Sequence, residues 1–231
     1  GGVAGVRVVR GTTSCVVGGA DLCGGYVVLL GDDGSLRVRG IVLVAYSVID
    51  EGEVPKVMTA NDTETGEDDY LGVIRAKTAR LFAAAAEIGA VVADRPAAEQ
   101  DALRVFGHKL GMAFQLVDDV LDYSAHQATL GKTVGDDFRE GKITLPVVLA
   151  FRVADDQGRA FWRRTLEDLQ QRKGDFKRAV GLLERTGALA ATLDRAARYG
   201  AEALAALDGF ADRAMRAALE GSVGFAVRRA H

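Results

Sequence analysis

Phe114-Gln115-Leu116-Val117-Asp118-Asp119-Val120-Leu121-Asp122 sets three carboxylates and an amide among apolar residues. At 100° per residue, Gln115, Asp118, Asp119 and Asp122 fall within an arc of roughly 100°, so in a helix they share one face. Leu103, Phe106, Leu110, Phe114, Val117 and Leu121 recur at spacings of three and four and make an apolar core face on the same segment. The two patterns predict a helix that Asp94 and Pro96 open and that runs to about Tyr123. Carboxylates at i, i+1 and i+4 repel one another, each like-charged pair costing roughly a few tenths of a kcal/mol on an exposed helix, so a cation is expected to offset them. Magnesium takes one or two protein carboxylates and fills its octahedron with water and substrate phosphate. Such a face suits a metal-bridged diphosphate. The plainer reading of an Asp-Asp pair is a solvated face or a helix cap.

The residues beyond this face favour the metal over the solvated surface. A glycine-rich loop reads Leu130-Gly131-Lys132-Thr133-Val134-Gly135-Asp136-Asp137, and after it stands Glu140-Gly141-Lys142-Ile143-Thr144-Leu145-Pro146. Two lysines flanking such a loop suit a polyanion. Lys77-Thr78, mid-helix beside Leu81 and Phe82, offers a third phosphate contact, although a lone lysine there reads as a snorkelling side chain.

Outward from this centre the helices are marked by caps and periodicity. Thr65 followed by Asp68 is a capping-box-like start for a helix over 66–92, with Leu71, Ile74, Thr78, Leu81, Phe82 and Ala85 on one side. Thr144 and Pro146 suit the N-cap and first turn of a short buried helix ending near residue 154. Further helices are expected over 158–172, 175–186, 188–207 and 210–228, parted by Gly174, Gly187 and Gly209, and one over 36–53 before Pro55. Ahead of Ser35 the composition changes. Gly18-Gly19, Gly24-Gly25 and Gly31 crowd among Val and Thr, so 1–34 reads as irregular, with short strands near 7–9 and 26–30. The expected organisation is a Gly/Val-rich segment over 1–34 and an all-α domain over 35–231.

With 29 basic against 32 acidic residues and a net charge of −3, the chain lacks the broad cationic footprint of a nucleic-acid binder. No apolar run is long enough to cross a membrane, since Glu87 and Gly89 interrupt the alanine-rich stretch, and no signal-peptide pattern opens the chain. Cys15 and Cys23 have no second pair and no nearby His, which disfavours a zinc site or a disulfide framework and makes a cytoplasmic setting the expectation. His108, His126 and His231 are scattered and read as surface or loop residues. Trp162 beside Phe161 reads as a packing anchor.

The run from Gly111 to Tyr123, continued by Leu130-Gly131-Lys132, Gly135-Asp136 and Glu140-Gly141-Lys142-Ile143-Thr144-Leu145-Pro146, is similar to the second aspartate-rich motif of trans-polyprenyl diphosphate synthases. Lys77-Thr78 with Leu81-Phe82 resembles the family's Lys-Thr element. Ile49-Asp50-Glu51-Gly52-Glu53-Val54 looks like its counterpart in synthases of the long-chain octaprenyl and decaprenyl type. The resemblance runs from about residue 35 to the end. It implies an isoprenoid-synthase-type helical bundle around a central cavity, and elongation of an allylic diphosphate with isopentenyl diphosphate, in the service of isoprenoid and quinone side-chain synthesis. It further implies that Asp118 and Asp119 ligate Mg2+ with Asp122 in support through water. Lys77, Lys132 and Lys142 would contact the allylic diphosphate beside Phe114, and Gln115 and Thr78 would aim oxygen dipoles at the allylic cation. A homodimer is the family habit.

The family also carries an earlier Asp-Asp-x-x-Asp motif followed by Arg-Arg-Gly. Its only candidate is Asp32-Asp33, which reads as a glycine-flanked turn, and Arg7 and Arg10 do not match the family's N-terminal basic elements. The N-terminal part of the bundle is thus expected to be incomplete, and ionisation by this chain slow. An alternative class is a non-catalytic partner subunit of a complete synthase, which association with such a synthase and a change of product length would distinguish. A terpene cyclase shares the metal-diphosphate chemistry, but the Gly-Lys loop and the Glu-Gly-Lys-x-Thr-Leu-Pro tail favour elongation. A plain helical scaffold would gain no stability from magnesium and diphosphate.

Overall fold

Leu, Ala, Glu and Arg dominate from residue 61 onward, and every element described there is helical. The computed structural model describes residues 9–17, 20–30 and 36–38 as paired backbone, and residues 61–124, 134–210 and 212–229 in full. Its helices are α1 (Glu67–Ile74), α2 (Arg80–Val92), α3 (Ala97–Leu121), α4 (Asp136–Arg139), α5 (Leu145–Arg152), α6 (Asp156–Trp162), α7 (Asp175–Arg185), α8 (Ala188–Ala205) and α9 (Arg213–Arg228). Two π-helical turns interrupt them, Arg75–Ala79 between α1 and α2 and Arg163–Glu167 after α6.

The helices expected over 66–92 and from Pro96 to about residue 123 form, as do those over 144–154, 175–186, 188–207 and 210–228, with ends shifted by a few residues. Asp155 caps α6 through Gly158 N at 2.8 Å, and Asp212 caps α9 through Ala214 N at 2.9 Å. At α1 the cap lies one residue later than expected. Gly66 N donates to Asp69 Oδ2 at 3.3 Å, and Thr65 is buried instead.

Two sequence expectations fail in the N-terminal part. The strand expected near 26–30 is present, but as part of a longer one where the glycines suggested irregular chain: Val9–Val17 (β1) and Ala20–Leu30 (β2) pair antiparallel from Val9 opposite Val28 to Val17 opposite Ala20. The Val and Thr residues suit a pleated ladder, and pairing with a neighbour offsets the backbone entropy of the glycines. Leu36–Val38 (β3) adds to β2 with Leu36 opposite Leu30, so the helix expected from residue 36 does not begin there. The rest of that expected helix, the Ile49 to Val54 element and Asp32-Asp33 lie outside the described residues.

α3 is the central helix. It packs along α2 on one side and α8 on the other, with α5 across its C-terminal half. Met112, Ala113, Leu116 and Val117 are fully buried, so its second half is enclosed on more than the single face that periodicity marked. The main core gathers Met112, Leu116 and Val117 with Leu145 and Val148 of α5, Trp162 of α6 and Leu183 of α7. Trp162 is 0% exposed, with Phe161 edge-on to its ring, which fits a packing anchor.

The turn Arg75–Ala79 decides which face of α2 is buried. A π turn accommodates an extra residue, so everything after it is rotated relative to an unbroken α-helix. The side that carries Ile74 and Thr78 therefore does not continue through Leu81 and Ala85, which are exposed, and Ala79, Ala83 and Ala90 are buried instead.

Candidate active site

The four polar residues of the α3 face share one helical side as expected, but their surroundings differ. Asp118 is exposed, its side chain retaining 51% of its accessible surface. Asp119 is 1% exposed, with Gln115 Nε2 donating to its Oδ1 at 3.0 Å and the Tyr70 hydroxyl donating to its Oδ2. Burial pushes the Asp119 carboxyl up to about 7, against the opposing pull of those two donors. Gln115 Oε1 in turn accepts from Thr78 Oγ1 at 3.0 Å, which ties the π turn to α3.

Asp122 is engaged by backbone. Its Oδ1 accepts from Gly135 N at 3.2 Å and Asp136 N at 3.1 Å, and its Oδ2 from Asp137 N at 3.0 Å. Burial raises its carboxyl above the usual range, and the three amides pull the other way. Asp122 therefore organises the loop that returns to the site. Gly135 makes that turn at φ 84, in the left-handed region, and a Cβ there would stand 2.6 Å from the Phe176 ring.

The same loop carries Lys142, whose Nζ lies 2.9 Å from Asp137 Oδ1 and 2.7 Å from Glu140 Oε2 while its side chain stays half-exposed. Bonding to Glu140 first, and to Asp137, holds its ammonium above the ordinary lysine value. Lys77 is exposed on the π turn, next to Thr78. Phe114 is partly buried, its ring 5.2 Å from that of Phe82. Lys132, expected among the phosphate contacts, lies outside the described residues, as do His126 and His231.

Two further neighbours join the site: Tyr70, which the sequence reading did not mark, and Arg229, which read as a solvated helix end although the family's C-terminus can lie near the active-site mouth. Tyr70 stands eight residues before Thr78, two helical turns along, a spacing that puts it on the side of Thr78 and was legible once Thr78 was singled out. Arg229, just beyond α9, lays its guanidinium 4.0 Å over the Phe114 ring and donates to the Phe114 carbonyl at 3.0 Å. Its Nη1 is 4.0 Å from Asp118 Oδ1, and burial lowers its proton affinity. Only the fold brings it there.

A divalent cation fits this donor set in one way. Among the described residues no group of three or more His, Cys, Asp or Glu side chains converges to cage a metal. Of the three, Asp118 is the exposed residue, while Asp119 is buried and Asp122 half-buried against its three backbone donors. One hard oxygen donor facing solvent suits magnesium, which keeps most of its shell as water and phosphate.

The chain matches the polyprenyl synthetase family over residues 9–183, a span that begins ahead of the motif likeness near residue 35. Octaprenyl diphosphate synthase of Haemophilus influenzae is 50% identical over 133 residues, which are 58% of this chain and 40% of that protein. The octaprenyl diphosphate synthase of Escherichia coli is 39% identical over 196 residues, 85% of this chain and 60% of that protein. The chain thus spans 40 to 60% of the length of these relatives. A polyprenyl synthase of Caulobacter crescentus, solved with calcium and isoprenyl diphosphate, superposes with a TM-score of 0.77 at 48% identity, covering 83% of this chain and 58% of that one. The helical part of the chain has the all-α isoprenoid-synthase fold.

Proposed function

Because the chain belongs to the polyprenyl synthetase family, we propose that it carries the allylic-diphosphate half of a trans-prenyltransferase site, serving elongation by isopentenyl diphosphate in the making of polyprenyl chains for quinone side chains. The observation that supports this most is the exposed carboxylate of Asp118 on a helix whose neighbouring polar groups, Gln115, Asp119 and Asp122, are each already held by a partner.

Asp118 would hold Mg2+, with Asp119 in support from its buried position rather than as a direct ligand, and Asp122 acting through the loop it organises. When bound, the cation would supply positive charge to the departing diphosphate. Lys77 and Lys142 would meet the phosphate oxygens, Lys142 by exchanging its contacts with Asp137 and Glu140, and Lys132 joins them by the motif. The Thr78 hydroxyl, having donated its proton to Gln115, keeps its lone pairs, and the Gln115 carbonyl keeps a second one. Both can turn negative dipoles toward an allylic cation. Such dipoles count most where water is excluded, and Phe82 and Phe114 supply an apolar wall beside them.

The test is calorimetry with farnesyl S-thiolodiphosphate, a non-ionising analogue, with and without magnesium. The chain should bind it only with magnesium, and Asp118→Ala should weaken binding by at least about tenfold. Binding that is indifferent to magnesium, or to Asp118→Ala, would refute the reading.

A further inference from the structure

Four side chains from two helical stretches form one hydrogen-bonded string, from Thr78 to Gln115 to Asp119 to Tyr70. Its bonds converge on Asp119: Thr78 donates to the Gln115 carbonyl, the Gln115 amide NH2 donates to one Asp119 oxygen, and the Tyr70 hydroxyl donates to the other. Each Asp119 oxygen then has one protein donor, and the plane of the carboxylate is fixed from both sides. Tyr70, 5% exposed, and Asp119, 1% exposed, meet out of water, where a hydroxyl is costly unless bonded. Packing alone would be satisfied by Phe at position 70.

The string also joins two elements of the site. Tyr70 and Thr78 lie on either side of the turn where the π helix begins, and reach positions four residues apart on α3, Asp119 and Gln115, in antiparallel order. The residue next to this clamp is Asp118, the carboxylate left exposed.

We propose that Tyr70 is a positioning residue for the metal face: by clamping Asp119 against Gln115 it sets the buried carboxylate in the orientation that supports a cation held at Asp118. This rests on Asp118 being the residue that holds the cation. Hydrogen-bond partners behind a metal site fix the groups around the ion and act on metal affinity. Tyr70 meets neither substrate nor cation itself.

The experiment is a magnesium titration at fixed farnesyl S-thiolodiphosphate, read by calorimetry and by melting temperature, on the 231-residue chain, Tyr70→Phe, Asp119→Asn and the double variant. For Tyr70→Phe the half-saturating magnesium concentration should rise about tenfold. Affinity for the analogue at saturating magnesium should change less than about twofold, and the melting temperature without ligand should move only slightly. The double variant should be no worse than the poorer single one, because both changes break the same bond. An unchanged half-saturation in Tyr70→Phe, or additive effects in the double variant, overturns the proposal while leaving the site reading intact. Failure of the unaltered chain to bind the analogue with magnesium overturns both. If Tyr70→Phe does not fold, Asp119→Asn decides, since unchanged magnesium dependence there removes the clamp.

Discussion

Three aspartates that look interchangeable in the sequence have three different surroundings once their partners are known. Asp118 faces solvent, Asp119 is buried between two donors, and Asp122 collects three backbone amides. Away from this face another carboxylate, Glu67, ties the start of α1 to α8 through Arg195, with Nη2 donating to Oε2 at 2.9 Å across 128 positions of sequence. The Arg195 hydrogen bond holds the Glu67 carboxyl below its ordinary 4.5. A depressed carboxylate contributes stability that is present above the ordinary value and lost as pH falls through the folded one. Glu67→Gln should therefore destabilise the chain by about 1 kcal/mol at neutral pH. Urea melts at neutral pH and near pH 3 should show that gap closing with acid, and a gap independent of pH would show that Arg195 contributes no charge-specific stability.

At the scale of elements, the contact between α2 and α3 depends on missing side chains. A Cβ at Gly111 would stand 2.8 Å from Ala79 Cα and 2.9 Å from Phe82 Cβ, and one at Gly107 would be 2.3 Å from the Phe82 carbonyl oxygen. Gly111→Ala should then force the helices apart at the turn that carries Thr78, at a cost of roughly 2 kcal/mol. Gly89→Ala is the contrasting case. No atom lies within 4 Å of its added Cβ, and in a helix interior the change should stabilise by about 0.5–1 kcal/mol. Melting of the two variants checks the pair, and a loss of stability at both would put the helix contact in doubt. The π turn belongs to this scale as well, since by rotating α2 it turns Leu81 and Val92 outward, where they remain 50% and 45% exposed.

For the whole molecule those two residues bear on assembly. Leu81, Ala85, Ile88 and Val92 recur at three and four along α2 and form an outward apolar stripe, which a second copy could cover, in keeping with the homodimer expected from the sequence. Sedimentation at micromolar concentration should find a dimer for the unaltered chain and a shift to monomer for Leu81→Glu with Val92→Glu. A monomer in both cases would remove the stripe as an interface. No described helix is long and apolar enough to cross a membrane.

The sequence alone determined the helical class from residue 61 onward, the helices and most of their ends, and the polar face of α3, because periodicity and capping act over a few residues. It also carried the likeness to the prenyl synthases, through side-chain chemistry at fixed spacing. It read the strands at Val9–Val17 and Ala20–Leu30 too short, as pieces near 7–9 and 26–30, because pairing with a neighbouring strand overrides the local weakness of glycine. Only the tertiary structure decided which carboxylate meets water. That choice rests on Tyr70, 49 residues before Asp119, on the loop at 135–137 that returns to Asp122, and on Arg229, 115 residues beyond Phe114, and burial by such remote partners leaves no mark on local spacing.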